Sequence, residues 1–221
     1  MQCIKDSIKN INIVIGCDIG CSYCYARMNN NRFHTIDDFN VPVFFENKLK
    51  MLDNKKHKAY FLTGQSDLSG WKFEWINKVF SKIDENKDIS YIFLTKRPEK
   101  IKLDKTPDNA WFGVTVTSSK EKSRIDKLRK NIRAKNYHVT FEPMFDDVGK
   151  LDLTDISWIV IGTETGKRKN KSYTKREWIY NIYNQAKEQN IPVFMKEDLL
   201  GIINEEEFIQ EFPKDFGGAK C

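Results

Sequence analysis

Short hydrophobic runs alternate along the chain with longer segments in which hydrophobic residues recur every three or four positions. The short runs are rich in β-branched residues and almost continuously apolar, which is typical of strands buried on both faces of a parallel sheet. The alternation of such strands with helices predicts repeated βα units. The seven predicted strands lie at residues 11–16, 58–63, 90–95, 111–116, 138–142, 158–163 and 191–196.

Three of the longer segments carry hydrophobic stripes at helical spacing, and their first members are Trp75, Ile125 and Trp178. Thr174 followed by Glu177 has the pattern of a capping box and predicts the start of the last helix. No repeat of fixed period and no proline-rich linker divides the chain. We therefore expect one α/β domain over residues 1–221, with a partial (β/α) barrel of six or seven mostly parallel strands. Its core is expected at about residues 10–198, followed by a C-terminal tail at 199–221.

The composition narrows the classes of protein that this pattern allows. Hydrophobic residues make up 40% and aromatic residues 13% of the 221 residues, which is enough for a sizeable core. No stretch reaches the roughly 18 consecutive apolar residues of a membrane helix, and the first residues are too polar for a signal peptide. We therefore expect a cytoplasmic protein with no membrane partner. The net charge of +6 favours a polyanionic partner if the basic residues cluster.

Three of the five cysteines lie within eight residues, directly after the first predicted strand. Cys17, Cys21 and Cys24 are too close together for a disulfide framework, and in a reducing compartment such crowding indicates a metal site. Three thiolates at this spacing are suited to one corner of a [4Fe–4S] cluster, each binding a separate iron. Gly16 and Gly20 relieve steric crowding where the backbone curls around the cluster. One iron is then left open to chelate a substrate.

Two other metal-site interpretations remain as alternatives. A structural zinc site usually has a fourth cysteine or histidine, whereas His34, His57 and His138 are scattered along the chain. A fully ligated electron-transfer cluster also needs a fourth cysteine, and Cys3 and Cys221 lie at the chain ends without the expected spacing. Both alternatives explain the spacing less well than a cluster with one open iron.

The Cys-x-x-x-Cys-x-aromatic-Cys loop, with Tyr23 at the aromatic position, resembles the defining motif of the radical SAM superfamily. Further segments at the ends of the predicted strands resemble the strand-end motifs of a phage- and mobile-element-associated radical SAM group of unknown function. The likeness covers roughly residues 10–198 and implies a partial barrel of the radical SAM type. It also implies a separately encoded three-Cys-motif partner protein. The segments are residues 61–68, 93–98, 111–116, 141–143 and 158–166.

The resemblance implies a [4Fe–4S] cluster and S-adenosylmethionine as cofactors. The open iron would bind the amino and carboxylate groups of the methionyl moiety, and a flavodoxin or ferredoxin would supply an electron. Reductive cleavage would give methionine and a 5′-deoxyadenosyl radical, which abstracts hydrogen from a substrate. As in other cofactor enzymes, the protein would supply position and shielding from water.

The resemblance also places contacts to the methionyl amino group after the second predicted strand. The superfamily carries a Gly-Gly-Glu-like segment there, and this chain has Gly64 and Gln65 instead. Because glutamine accepts hydrogen bonds but brings no charge, the ammonium contact is expected to rest on Gln65, Ser66 and Asp67 together.

Other candidate cofactor contacts follow the third, fourth and fifth predicted strands. Lys96, with Arg97 beside it, is expected to meet the methionyl carboxylate or a substrate phosphate, because both side chains bind either group. Thr115 and Thr117 alternate with apolar residues and present hydroxyls suited to the ribose. Glu142 is expected in the site because a carboxylate at that edge is costly to bury without a partner. Candidates on the substrate side are Glu164, Lys196, Glu197 and Asp198, and Cys221 is a candidate hydrogen donor.

The sequence is less informative about the substrate. Basic segments at residues 55–58, 120–135 and 167–171 favour a nucleic acid or nucleotide, and the last of them follows the sixth predicted strand. Modification of a peptide or partner protein is an alternative within the same chemistry. An iron–sulfur protein that binds nucleic acid or senses redox state without catalysis is an alternative of a different class.

Overall fold

A computed structural model describes residues 4–166 and 168–217 of the chain. Seven parallel strands form one sheet, which is curled into a half-barrel, in the order β1-β4-β5-β6-β7-β8-β9. Strands β2 and β3 form a separate antiparallel pair. The strands are β1 Lys9–Asn10, β2 Val14–Ile15, β3 Val43–Phe44, β4 Ala59–Phe61, β5 Ser90–Thr95, β6 Ala110–Thr115, β7 Asn136–Phe141, β8 Ile156–Ile161 and β9 Val193–Met195. The α-helices are α1 Ile4–Ser7, α2 Tyr25–Phe33, α3 Phe73–Glu85, α4 Ser123–Asn131 and α5 Arg176–Glu188.

The α/β class and the parallel half-barrel predicted from the sequence are confirmed. Six of the seven predicted strands overlap β4 to β9, and the prediction for residues 90–95 has the same bounds as β5. The predicted bounds of β7 and β8 start two residues late because the buried positions Asn136 and Ile156 precede the apolar runs.

The first predicted strand, residues 11–16, is wrong as a single element. β1 precedes it and pairs in parallel with β4, while Val14–Ile15 pairs antiparallel with β3. The chain returns to the large sheet only at Gly16, which forms a parallel bridge with Ser66. The hydrophobic pattern does not reveal this change because Ile11, Ile13, Val14 and Ile15 are all buried, although only Val14 and Ile15 lie in a strand.

Three helices cover the outer face of the sheet. The buried stripes of α3, α4 and α5 join a single core with alternate residues of the strands, such as Phe93, Phe112 and Val139. Helix α5 begins at Arg176 after an N-cap residue without a side-chain hydrogen bond, so the predicted capping box is wrong. The Thr174 hydroxyl instead donates to Thr163 Oγ1 at 2.8 Å. In the described part of the chain, none of the helices has both the length and the apolar character needed to cross a bilayer.

The remaining alternate residues of the strands line the inner, concave face. At the amino-terminal ends of the strands this face carries Trp111, Trp158 and Phe194, which pack in one cluster with Phe216 and Phe212 from the C-terminal segment. The Trp158 indole N–H donates to the Glu211 carbonyl at 3.0 Å, which fixes that segment against the sheet. The amino-terminal end of the half-barrel is therefore closed by aromatic side chains, and we call it the closed end.

Candidate functional site

The cysteine loop, residues 16–24, connects β2 to helix α2 at the carboxyl-terminal edge of the sheet. Cys24 is the N-cap residue of α2, and its Sγ accepts a hydrogen bond from the Arg27 amide at 3.4 Å. Within the loop, the Cys24 amide donates to the Cys21 carbonyl at 3.1 Å. The hydrogen bond from the Arg27 amide fixes the position of the Cys24 sulfur at the helix N-terminus.

Glycine is required at the start of the cysteine loop. Gly16 has φ +116°, and a Cβ atom there would lie 2.9 Å from Pro42 Cα. Its amide donates to the Gln65 carbonyl at 2.9 Å, which joins the loop to the segment after β4. Gly20 has φ +74°, so the turn between Cys17 and Cys21 also uses a left-handed backbone. The predicted steric crowding is present at Gly16, whereas a Cβ atom at Gly20 would have no neighbour within 4 Å, so Gly20 contributes only its left-handed backbone.

Helix α2 and the loop after it hold the first cysteine in place. The Arg27 guanidinium donates to the Cys17 carbonyl at 2.7 Å and to Asn40 Oδ1 at 3.0 Å. The Cys17 amide donates to the Phe39 carbonyl at 2.6 Å. Cys17 and Cys24 also pack against a small apolar cluster that includes Phe39. The loop therefore has its own core, separate from that of the large sheet.

The three motif thiols are free and half-buried. Burial, together with the negative charges of Asp67, Cys24 and Cys21, raises the pKa of Cys17 to about 11. Deprotonation of Cys17 is therefore favoured by a cation beside its sulfur. Within residues 4–166 and 168–217, no group of three or more histidine, cysteine or acidic side chains is arranged to hold a single metal ion. A [4Fe–4S] cluster makes a different demand, because each thiolate binds a separate iron, and three cysteines match it in number and type.

The segment after β4 lies against the cysteine loop, as the sequence predicted. The Tyr25 hydroxyl, at the start of α2, donates to the Gly64 carbonyl. The Ser66 hydroxyl accepts from the Trp71 indole N–H at 2.9 Å. The Gln65 side chain makes no hydrogen bond to any described residue, and of the three predicted ammonium contacts it is the one left free for a ligand.

Asp67 is occupied by the chain itself. Its buried carboxylate accepts hydrogen bonds from the Thr95 hydroxyl at 2.7 Å, the Lys96 amide at 2.8 Å and the Ser69 amide at 2.9 Å. These three bonds join the ends of β4 and β5. Asp67 is therefore well placed to position the neighbouring residues, whereas few of its lone pairs remain for a ligand.

The structure separates the two basic residues after β5, which the sequence treated together. Arg97 forms a bidentate ion pair with Asp18 in the cysteine loop and donates to Ser69 Oγ at 3.0 Å. The Arg97 guanidinium holds the pKa of Asp18 below its usual range. Lys96 has no ion pair among the described residues, and its Nζ lies 5.8 Å from the centre of the Tyr23 ring. Lys96 is thus the cation available to an anionic ligand, and Arg97 fixes the loop.

Hydroxyl groups line the open end of the concave face, where β6 and β7 finish. The Thr117 hydroxyl donates to Glu121 Oε2 at 2.6 Å. Thr115 and Thr140 are register partners on β6 and β7, and neither hydroxyl bonds another described side chain. Thr115 therefore fits the predicted ligand contact better than Thr117. Thr140 was not predicted, although its inner-face position beside Thr115 follows from the strand alternation.

An ion pair joins the ends of β7 and β9 across β8. Glu142 contacts Lys196 Nζ, which also lies 3.4 Å from Asp198 Oδ2. Burial opposes a charge on Lys196, but the two carboxylates outweigh it and raise the pKa of that ammonium. A Cβ atom at Gly162 would lie 3.0 Å from both Glu142 Cδ and Lys196 Cδ, so glycine leaves room for the pair. The predicted need of Glu142 for a basic partner is met by Lys196.

The loop after β8 is tied to the same edge by Glu164. Its buried carboxylate accepts two hydrogen bonds from Arg168, at 2.6 and 2.7 Å, and one from the Ser172 amide at 3.0 Å. Arg168 holds the pKa of Glu164 below its usual range. Glu164 therefore positions this loop. Glu197 begins the short 3-10 helix Glu197–Leu199, whereas Cys3 and Cys221 lie outside the described residues.

Two further polar groups of the site were not predicted from the sequence. The buried Asn12 Oδ1 has no hydrogen-bond partner in the described chain and would lie 3.0 Å from a Cβ atom at Gly64. Tyr25 spans from the cysteine loop to Gly64. The sequence shows that Tyr25 directly follows the last cysteine of the motif. It does not show the hydrogen bond to Gly64, because the two residues are 39 positions apart.

Comparison with known proteins places the chain in a family but gives no activity. Neither the curated proteins nor the solved structures contain a match. A family model described as "Protein of unknown function (DUF5131)" matches residues 4–217, which include the cysteine loop and all the strand ends described above. The chain therefore belongs to the DUF5131 family.

Proposed function

We propose that this protein is a radical SAM enzyme that holds a [4Fe–4S] cluster on Cys17, Cys21 and Cys24. The observation that carries the proposal is a single loop with three free, half-buried thiols at the carboxyl-terminal edge of a parallel half-barrel. Catalytic residues of βα barrels collect at this edge. A structural zinc site usually has a fourth cysteine or histidine, and the three histidines are scattered along the sequence.

When bound, the cluster supplies one electron to S-adenosylmethionine, whose C5′–S bond breaks to give methionine and a 5′-deoxyadenosyl radical. The electron comes from a flavodoxin or ferredoxin. The protein's own part is to orient the cofactor and to keep water away from a reactive species. The closed end and the half-buried loop serve the second task.

The free polar groups of the site fit the two ends of S-adenosylmethionine. Gln65 and the unpartnered Asn12 Oδ1 offer acceptors for the methionyl ammonium group. Lys96 offers a cation for a carboxylate or phosphate. Thr115 and Thr140 offer hydroxyls to a ribose on the floor of the open end. In this arrangement Asp67, Arg97 and Lys196 are positioning residues, since their charges already have partners in the chain.

Anaerobic reconstitution with iron and sulfide tests the proposal. The wild-type protein should gain a cluster absorbance and, with dithionite and S-adenosylmethionine, should release 5′-deoxyadenosine measurable by chromatography and mass spectrometry. Cys21→Ala should lose both signals, because three thiolates are the only protein ligands of the proposed cluster. Cys3→Ala is the matched control and should keep both.

Two results would contradict the proposal. If the purified protein holds one equivalent of zinc that iron does not displace, the proposed cluster is not formed. A cluster that changes its spectrum on reduction but forms no 5′-deoxyadenosine would identify an iron–sulfur sensor.

A further inference from the structure

Aromatic side chains from three different loops lie at the rim of the open end. Tyr23 of the cysteine loop and Phe145 of the loop after β7 have ring centres 5.5 Å apart. The Ser172 hydroxyl donates to the Met144 carbonyl at 2.7 Å, which brings the loop after β8 next to Phe145. That loop carries Tyr173, whose surface is 85% exposed, and Phe145 is 41% exposed. Exposed rings beside a proposed active site are suited to stacking on flat, apolar groups.

The same rim carries positive charge that the chain leaves unpaired. Among the described residues, Lys96, Lys171 and Lys175 form no ion pair with a carboxylate, although Lys175 Nζ lies 5.5 Å from the Trp178 ring. The nearby carboxylates are already engaged. Glu164 is bound by Arg168, Glu142 by Lys196, Glu121 by Arg124, and Asp146 accepts from the Ser119 amide and hydroxyl. Within the described residues the rim therefore presents three lysine ammonium groups without a carboxylate partner to an incoming ligand.

We propose that an unpaired stretch of nucleic acid binds across this rim, with a base stacked on Tyr173 or Phe145 and phosphates at Lys171, Lys175 and Lys96. Exposed rings interleaved with unpaired cations are the features that recognise single-stranded nucleic acid. A base must be unpaired to reach the Thr115–Thr140 floor, since a base inside a duplex is not accessible to a concave site. This inference rests on the proposed function, for which it names the substrate class.

Binding is tested on the reconstituted full chain by fluorescence anisotropy, with a labelled oligodeoxythymidylate of about 15 nucleotides as the probe. The Tyr173→Ala variant should bind about tenfold more weakly, because it loses one stacking surface. Tyr173→Phe should retain wild-type affinity, because the ring remains. Tyr173 makes no side-chain hydrogen bond in the described chain, so both variants should fold.

The charge contribution is tested by salt dependence between about 50 and 200 mM. A Lys171→Ala, Lys175→Ala double variant should reduce the slope of log affinity against log salt by about 1.4, since each single-strand phosphate contact contributes about 0.7. Lys55→Ala, Lys56→Ala is the matched control, because it removes the same charge from an exposed turn before β4, at the closed end. It should leave both slope and affinity unchanged.

Three outcomes would overturn the inference. They are absence of binding at the lowest salt, equal loss of affinity in the two double-lysine variants, and equal binding of a polyglutamate peptide with the same dependence on Tyr173. Formation of 5′-deoxyadenosine is measured in the same samples. If the protein cleaves the cofactor but does not bind the oligonucleotide, only this inference is contradicted. If it binds the oligonucleotide but does not cleave the cofactor, the proposed function is contradicted and the rim is a nucleic-acid site.

Discussion

The two ends of the concave face have opposite chemistry although the same strands build both. At the closed end, inner-face positions hold Trp111, Trp158 and Phe194, and the C-terminal segment seals them. Two to four residues further along the same strands, the inner-face positions hold polar side chains such as Thr115 and Lys196. Apolar burial is therefore concentrated at one end of each strand and polar side chains at the other. Apolar burial at the closed end stabilises the sheet, whereas at the open end the Thr115 and Thr140 hydroxyls bond no other side chain of the described residues.

The strongest test of this separation removes the largest inner-face side chain at the closed end. Trp158 is 1% exposed and packs against His138, Phe194, Phe212 and Phe216. Trp158→Ala should lower the free energy of unfolding by about 3–5 kcal/mol, because it leaves a cavity and a segment without its anchor. Urea denaturation measures the change.

Thr140→Val is the matched change at the open end of the same face. Its hydroxyl has no partner among the described side chains, so the free energy of unfolding should stay within about 1 kcal/mol of wild type. Equal losses in Trp158→Ala and Thr140→Val would show that the two ends contribute alike to stability, which would contradict the separation.

His138 lies on the inner face between the closed end and the open end. The pH dependence of stability tests whether its imidazole is buried there in the neutral form. Burial lowers the pKa of His138 from 6.5 to about 4, although its Nε2 lies 3.1 Å from the Phe93 carbonyl. The unfolded chain therefore binds this proton first as the pH falls. The contribution of His138 to the free energy of unfolding is full above pH 6.5 and decreases by up to about 3 kcal/mol as the pH approaches 4.

Urea denaturation between pH 7 and pH 4, at about half-unit steps, measures this loss against His138→Gln, which carries no ionisable group there. The difference between the two stability curves should slope only below pH 6.5. His57→Gln, in the turn before β4, leaves the buried histidine in place and should follow wild type. A flat difference curve for His138→Gln would mean that the imidazole is not buried neutral.

A single methyl group placed beside the buried imidazole tests its position independently. A Cβ atom at Gly113 would lie 2.3 Å from the His138 ring. Gly113→Ala should therefore lower the free energy of unfolding by about 1–3 kcal/mol through overpacking. In a His138→Ala background the same change should cost clearly less, and the double-mutant cycle measures the difference. The same cost in both backgrounds would place the imidazole elsewhere.

The sequence predicted the half-barrel because continuous apolar runs mark β5 to β8 without ambiguity. It did not predict β1 or β3, and it merged β2 into a longer strand at residues 11–16, because each of these three strands is only two residues long. The candidate site was predicted at the level of residue types after each strand. What the sequence could not give is which of them pair, because Arg97 and Asp18 are 79 residues apart, and Lys196 and Glu142 are 54 apart. These long-range ion pairs decide which polar groups stay free, and local sequence patterns do not predict them.

The small β2–β3 pair has a consequence for how the cysteine-bearing part of the molecule can vary. Val14↔Phe44 and Ile15↔Val43 are paired, so the chain departs and comes back through adjacent positions. Residues 16–42 thus form a segment whose two ends lie next to each other. Because none of the seven parallel strands lies within this segment, insertions or deletions in it leave their register intact. The length and sequence of residues 16–42 can therefore vary during evolution while the seven-stranded sheet stays the same.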